Sequence, residues 1–146
     1  MIDPDRIFNL FGNNQAHFAS DMEDAVEKFI TFKDSPSYKI SMFSKIITNH
    51  ENFGLKVVQF FNRIESEVSM DDVKNAGEFI VYNRAWFYIQ NINLKDPEDF
   101  KAIKDCVSNE LLTSLMLSIS YWENQEEYEK CGFLKKIQDC VEILLK

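Results

Sequence analysis

Apolar residues recur along most of this chain at intervals of three and four, the spacing that places side chains on one face of an α-helix. Stretches with this spacing alternate with short polar connections, so the pattern predicts a series of consecutive helices. The clearest stripes are Met22/Ala25/Phe29/Phe32, Val57/Phe61/Ile64/Val68, Leu112/Leu115/Ile119/Trp122 and Leu134/Ile137/Val141/Leu144. The predicted fold class is all-α, a single compact bundle of six to seven helices forming one domain over residues 1–146.

Capping residues and prolines indicate where these helices begin. Asp3-Pro4, Ser35-Pro36 and Asp96-Pro97 each place an N-cap residue before a proline, which is favoured at the first helical position. Ser69 and Ser108 are two further N-cap candidates, because Ser69 is followed by Asp71 and Asp72 and Ser108 precedes the apolar stripe that begins at Leu112. These five signals predict five helix starts.

Glycine and polar runs suggest where the early helices end. Gly12 is expected to stop a first short helix, and Ser20 to start the next one through a capping box. A third helix is expected over 36–48, a loop over 49–54, and a fourth helix from Leu55 to Val68.

Residues 70–92 are apolar on nearly all sides, which is typical of a central, buried helix. A β-hairpin with strands 79–82 and 85–89 is the alternative, although Asn83-Arg84 makes a poor two-residue turn. Asn124-Gln125 is expected to form a tight connection between the last two helices, and Glu126-Glu127 to open the final helix. Such a short connection predicts an antiparallel helical hairpin at the end of the chain.

The composition is that of a globular protein with an acidic surface. The chain has 146 residues, of which 45% are hydrophobic, and its 16 Lys+Arg against 24 Asp+Glu give a net charge of −8. This balance argues against binding to nucleic acid or to an anionic membrane, both of which require clustered cations. A nucleic-acid site would need the dispersed basic residues of the central segment on one face: Lys39, Lys45, Lys56, Arg63 and Lys74.

Several observations bear on the source and compartment. No apolar run approaches the roughly 20 residues that span a bilayer, and the acidic start lacks the features of a signal peptide, so we expect a cytoplasmic protein. The 3 cysteines form no CxxC pair, so we expect free thiols. With 13 Phe against 4 Gly and 3 Pro, the usage favours AT-rich codons, as in some phages and viruses.

Recognisable catalytic and cofactor motifs are absent, so no cofactor and no enzyme activity are expected. The acidic clusters fall at predicted helix starts, where unpaired N–H groups and the helix dipole favour carboxylates. A metal-dependent enzyme remains an alternative if Asp71 or Asp72 meets Glu126 or Glu127.

The remaining function class is binding to another protein, as an adaptor, regulatory subunit or inhibitor, with a homodimer as one form. Arg84 stands out within an apolar helix, and with Tyr82 and Trp86 it forms a candidate interface. Residues 1–34 carry three basic and seven acidic residues, and residues 96–146 carry six and eleven. If these ends share a face, a phage or viral inhibitor could use it to block a basic groove, with the candidate contacts Glu126, Glu127 and Glu129.

Overall fold

The computed structural model describes the backbone of residues 4–63 and 69–146, and the side chains of residues 19–54, 56, 59–60, 63 and 69–146. Within these ranges the regular secondary structure consists of helices: α1 (Pro4–Lys33), α2 (Pro36–Arg63), α3 (Met70–Ile89), α4 (Pro97–Cys106), α5 (Asn109–Asn124) and α6 (Tyr128–Leu145). The predicted all-α class is therefore confirmed. Residues 79–89 lie inside α3, so the hairpin alternative is wrong.

The packing divides the chain into two units, Met1–Ser35 and Pro36–Lys146. The first, the α1 unit, contains α1 alone, and the second, the five-helix unit, contains α2 to α6. The expectation of one domain over residues 1–146 stays a prediction.

Helix α2 is the central element of the five-helix unit. It packs against α3, α4 and α5, and α5 packs in turn against α6, with which it forms the predicted terminal hairpin. One apolar core joins these helices, and its buried members are Ile40, Phe43, Ile47, Tyr82, Ala85, Ile89, Ile92, Ala102, Ile103, Leu111, Leu115, Tyr121, Trp122, Leu134, Ile137 and Val141.

Small polar residues allow α2 and α5 to approach closely. Ser44 and Ser114 are both buried, and their Oγ atoms lie 3.3 Å apart. The Ser114 hydroxyl also lies 2.9 Å from the Glu110 carbonyl oxygen, to which it donates. The contact satisfies polar groups inside the core that would otherwise be costly to bury.

Three predicted helix starts are confirmed by cap hydrogen bonds. The Ser69 hydroxyl accepts from Asp72 N at 3.4 Å, and the Ser108 hydroxyl accepts from Leu111 N at 3.0 Å. Asp96 Oδ1 accepts from Glu98 N at 2.9 Å, ahead of the proline at the start of α4. These bonds pair backbone donors that have no partner within the helix.

Two predicted interruptions are wrong. α1 continues through Gly12 and through Ser20, and α2 continues through residues 49–54. Glycine and asparagine lower helix stability by no more than about 1 kcal/mol relative to alanine, and unlike proline they do not block the helix. In α2, packing against α3 opposes that loss, since the His50 ring lies edge-on to the Tyr82 ring at 6.4 Å. The predicted stripe positions Ile64 and Val68 lie outside the described residues.

The expectation that α3 is buried on nearly all sides is also wrong. Tyr82, Ala85 and Ile89 are buried, whereas Phe79, Ile80 and Phe87 are exposed. The helix ends at Ile89, three residues before the predicted end. α3 therefore has one face in the core and one apolar face toward solvent.

Candidate interaction surface on helix α3

Tyr82, a predicted interface residue, belongs to the core. It is 4% exposed, and its ring stacks on Tyr121 with centroids 4.4 Å apart and planes 12° apart. Burial raises the pKa of Tyr82 to about 12, and the carboxylates of Glu51 and Glu78 add to this effect. Tyr82 therefore packs α3 against the core, and its side chain is not accessible to a partner.

Trp86, the second predicted interface residue, is half-buried where α3 meets the terminal hairpin. Its ring lies edge-on to Trp122 at 6.3 Å and to Phe133 at 5.4 Å. The Lys130 ammonium group lies 3.8 Å from the Trp122 ring centroid and 5.5 Å from that of Trp86. Such cation–π contacts attract the ammonium to the ring faces, so Lys130 covers this aromatic junction.

Arg84, the third predicted interface residue, is exposed. It lies on the side of α3 opposite to Tyr82 and Trp86. Ile80 and Phe87 precede and follow it by four and three residues, which places the three side chains on one helical face. Phe79 lies beside them, and the exposed fractions of Phe79, Ile80 and Phe87 are 62%, 64% and 66%. We call these four residues the α3 surface.

The α3 surface belongs to a segment of helix whose reverse face is buried in the core. Ala85 and Ile89, on the reverse side, are 0% and 1% exposed and lie in the core. On the outer side, Asn83 Nδ2 donates to the Phe79 carbonyl oxygen at 2.7 Å, one turn back along the helix. Buried anchors on one face fix the backbone from which the exposed side chains project.

The Arg84 guanidinium has no ion pair with any carboxylate in the described part of the chain. The surface therefore combines three apolar side chains with a cation that can pair with an external acid. Arginine and aromatic residues are the types that dominate the binding energy of protein interfaces.

The predicted acidic contacts lie at the connection between α5 and α6. Glu126 adopts a φ of 61°, and Glu127 is the N-cap of α6 without a side-chain cap bond, so the expectation that these two open the last helix is wrong. Glu127 N donates to Trp122 O and Glu126 N donates to Glu123 O, which is the Schellman pattern at a helix end. This turn fixes the start of α6 at Tyr128, with Glu129 in its first turn.

All three of these glutamates are exposed. Whether they bind a basic partner stays a prediction, as does an acidic face shared between residues 1–34 and 96–146. Those two segments lie in the α1 unit and the five-helix unit respectively.

A groove of about 240 Å³ lies between α2 and the α4–α5 connection. Its lining includes Lys45, Asp105, Cys106 and Glu110 but no histidine. A histidine would be needed to activate the Cys106 thiol as a nucleophile. Cys106 Sγ lies 4.0 Å from Ser41 Oγ. This groove does not supply the cysteine–histidine pair of a nucleophilic site.

Among the described residues, no three His, Cys, Asp or Glu side chains gather into a group that could hold a metal ion. Within the same part of the chain, every helix is too short or too polar to cross a bilayer.

The sequence did not single out Phe79, Ile80 and Phe87 as surface residues, and Arg84 was grouped with Tyr82 and Trp86 instead. Helical spacing contains the signal, because Ile80, Arg84 and Phe87 follow each other by four and three residues, whereas Tyr82 and Trp86 lie on another side. Comparison with known proteins adds no relative: no family model, curated protein or solved structure matches this chain.

Proposed function

We propose that this protein acts by binding another protein through the α3 surface rather than by catalysis. The observation that carries the proposal is the exposure of Phe79, Ile80 and Phe87 around Arg84, which has no ion pair within the described part of the chain. Three large apolar side chains on one helical face, each more than half exposed, are typical of a surface that a partner covers.

The surface defines the chemistry of its partner. Covering Phe79, Ile80 and Phe87 removes apolar area from water, which contributes about 1.5–3 kcal/mol for each fully buried side chain. Arg84 would then leave water too, and a buried guanidinium needs a carboxylate to pair with. The partner is therefore an apolar segment, such as an amphipathic helix, with an aspartate or glutamate among its apolar residues.

Affinity purification with matched variants tests this proposal in cells that naturally make the protein. Ile80→Ser and Arg84→Glu each change the α3 surface. Ile143→Ser on α6 and Lys101→Glu on α4 make the same chemical changes at exposed positions elsewhere. We expect the same co-purifying protein with the wild type and both controls.

Loss of that protein with both α3 variants, by about tenfold or more, supports the proposal, since a central interface residue contributes roughly 1.4 kcal/mol or more. Equal recovery with all five forms of the protein contradicts it. Circular dichroism confirms in each case that the variant is folded.

A further inference from the structure

Two indole rings meet a lysine ammonium where α3 packs against the terminal hairpin. The ring planes of Trp86 and Trp122 are 67° apart. The Lys130 ammonium lies over both rings, 3.8 Å from the centroid of Trp122 and 5.5 Å from that of Trp86. Two steeply inclined aromatic faces thus converge on one positive charge, which is the arrangement by which proteins bind quaternary ammonium groups.

The Lys130 ammonium is an incomplete match to the place it occupies. A primary ammonium carries three N–H donors. No described carboxylate lies within ion-pair distance of Lys130, and the ring faces that it contacts offer π electrons rather than oxygen acceptors. The contact therefore satisfies the charge of Lys130 better than its hydrogen-bonding capacity.

A second position is within reach of the Lys130 side chain. Glu127 is exposed, lies at the N-cap of α6 and makes no side-chain cap bond. It precedes Lys130 by three residues, a spacing at which opposite charges pair on a helix. The flexible four-carbon stem of lysine allows the ammonium to move from the rings to this carboxylate. Trp122 is 3% exposed beneath Lys130, so this movement would uncover its face.

A methylated ammonium group fits these rings better than a primary one. Methylation keeps the positive charge and removes N–H donors, so the group loses fewer hydrogen bonds to water when it moves onto the rings. The electrostatic field also attracts cations, because the net charge of the chain is −8. Exposed carboxylates border the site at the connection between α5 and α6: Glu123, Glu126, Glu127 and Glu129.

From this geometry we propose that Trp86 and Trp122 form a binding site for a methylated ammonium group, with Lys130 as an internal occupant that the ligand displaces. Phe133 packs edge-on to Trp86 at 5.4 Å and holds that indole in place. The inference is independent of the proposed function, because Trp86 lies on the side of α3 opposite to Arg84.

Intrinsic fluorescence reports on this site alone, because the chain contains 2 tryptophans and both belong to it. The full chain is titrated with tetramethylammonium chloride, and potassium chloride keeps the ionic strength constant. The wild type is expected to show a saturable change in emission. No saturable change in either the wild type or Lys130→Ala overturns the inference.

Variants test whether Lys130 competes with the ligand. Lys130→Ala is expected to bind tetramethylammonium roughly tenfold more tightly, because the apparent dissociation constant falls as the fraction of open sites rises. Lys136→Ala, which removes an exposed lysine from the same helix, is the matched control and should bind as the wild type does. Trp86→Leu removes one aromatic face and should weaken binding by about tenfold or more, with Trp122 still reporting. Equal affinity in all four proteins, with circular dichroism showing each to be folded, contradicts the inference.

Further ligands distinguish the two sources of a methylated ammonium. Choline represents a small molecule, and a peptide with one trimethylated lysine represents a protein side chain. Tighter binding of either one supports the site and assigns its source, whereas equal binding of the methylated peptide and its unmethylated form contradicts the preference for methylated ammonium. Arg84→Glu should leave these titrations unchanged, which separates this test from that of the proposed function.

Discussion

Two buried serines one turn apart on α5 show how differently the same side chain can contribute to stability. Ser114 bonds to the Ser44 hydroxyl and to the Glu110 carbonyl oxygen. The Ser118 hydroxyl, equally buried, has no hydrogen-bond partner in the described part of the chain. On folding, a buried polar group without a partner loses its hydrogen bonds to water and gains none within the protein, so its burial is unfavourable.

Alanine substitutions at these two positions should therefore have different effects. Ser114→Ala is expected to lower the free energy of unfolding by about 1 kcal/mol, because it removes two hydrogen bonds and leaves Ser44 without its hydroxyl partner. Ser118→Ala is expected to leave stability unchanged or raise it by up to about 1 kcal/mol. Urea unfolding of both variants provides the measurement, and an equal loss in the two would contradict this account.

The buried phenol of Tyr82 predicts a loss of stability in alkali. Its pKa rises from the ordinary value of 10.0 to about 12 in the folded protein. The group therefore contributes its full stability below pH 10, and this contribution is lost as the pH rises through about 12.

Tyr82→Phe has no proton to release at this position, so its stability should fall less steeply over the same pH window. Chemical unfolding at a series of pH values compares the two proteins. Some decline should persist in the variant, because burial also raises the pKa of Tyr121. Identical profiles for wild type and variant would show that Tyr82 is not responsible.

At the scale of elements, the sequence predicted helix starts better than helix continuity. Ser69, Asp96 and Ser108 cap their helices through bonds to residues two or three positions away, so the signal is local. The continuation of α2 through residues 49–54 depends instead on contact with α3, such as that between His50 and Tyr82. Such tertiary packing is not visible in a local window of sequence.

The cap assignments predict one contrast between helix starts. Ser108→Ala is expected to cost about 1 kcal/mol of stability, because the N–H of Leu111 loses its acceptor. Glu127→Ala should have little effect, since Glu127 makes no side-chain cap bond. Thermal unfolding of the two variants measures this difference in stability. A similar loss of stability in both variants would contradict the cap assignments.

The turn before α6 predicts a stabilising substitution. Glu126 has a φ of 61°, a left-handed conformation that costs a residue with a Cβ atom about 1 kcal/mol relative to glycine. Glu126→Gly is therefore expected to raise the free energy of unfolding by up to about 1 kcal/mol. Glu127→Gly is the matched control, because φ is −91° there and glycine should destabilise it. The reverse order of stability would contradict the Schellman assignment.

At the scale of the whole molecule, the fold class followed from periodicity, but the exposure of α3 did not. Residues 70–92 are apolar on nearly all sides, a pattern that ordinarily indicates burial. In the structure α2 occupies the central position, and α3 packs with only one face in the core. Which helix takes the centre depends on how the elements assemble, and a list of apolar positions does not determine that order.

The apolar residues of α3 that lie outside the core connect the fold with the proposed function. Phe79, Ile80 and Phe87 contribute nothing to the core and are exposed beside Arg84. The exposure of these side chains, in a chain whose net charge is −8, is accounted for if another protein covers them.

Site-specific photo-crosslinking tests this central claim most directly. A photoreactive phenylalanine analogue is placed at position 87, on the α3 surface, or at position 143, where Ile143 is 70% exposed on α6. After irradiation in cells that naturally make the protein, position 87 should yield one defined adduct that position 143 lacks, and Arg84→Glu should abolish it. No adduct at position 87, or the same adduct from both positions, would contradict the claim that the α3 surface binds a partner.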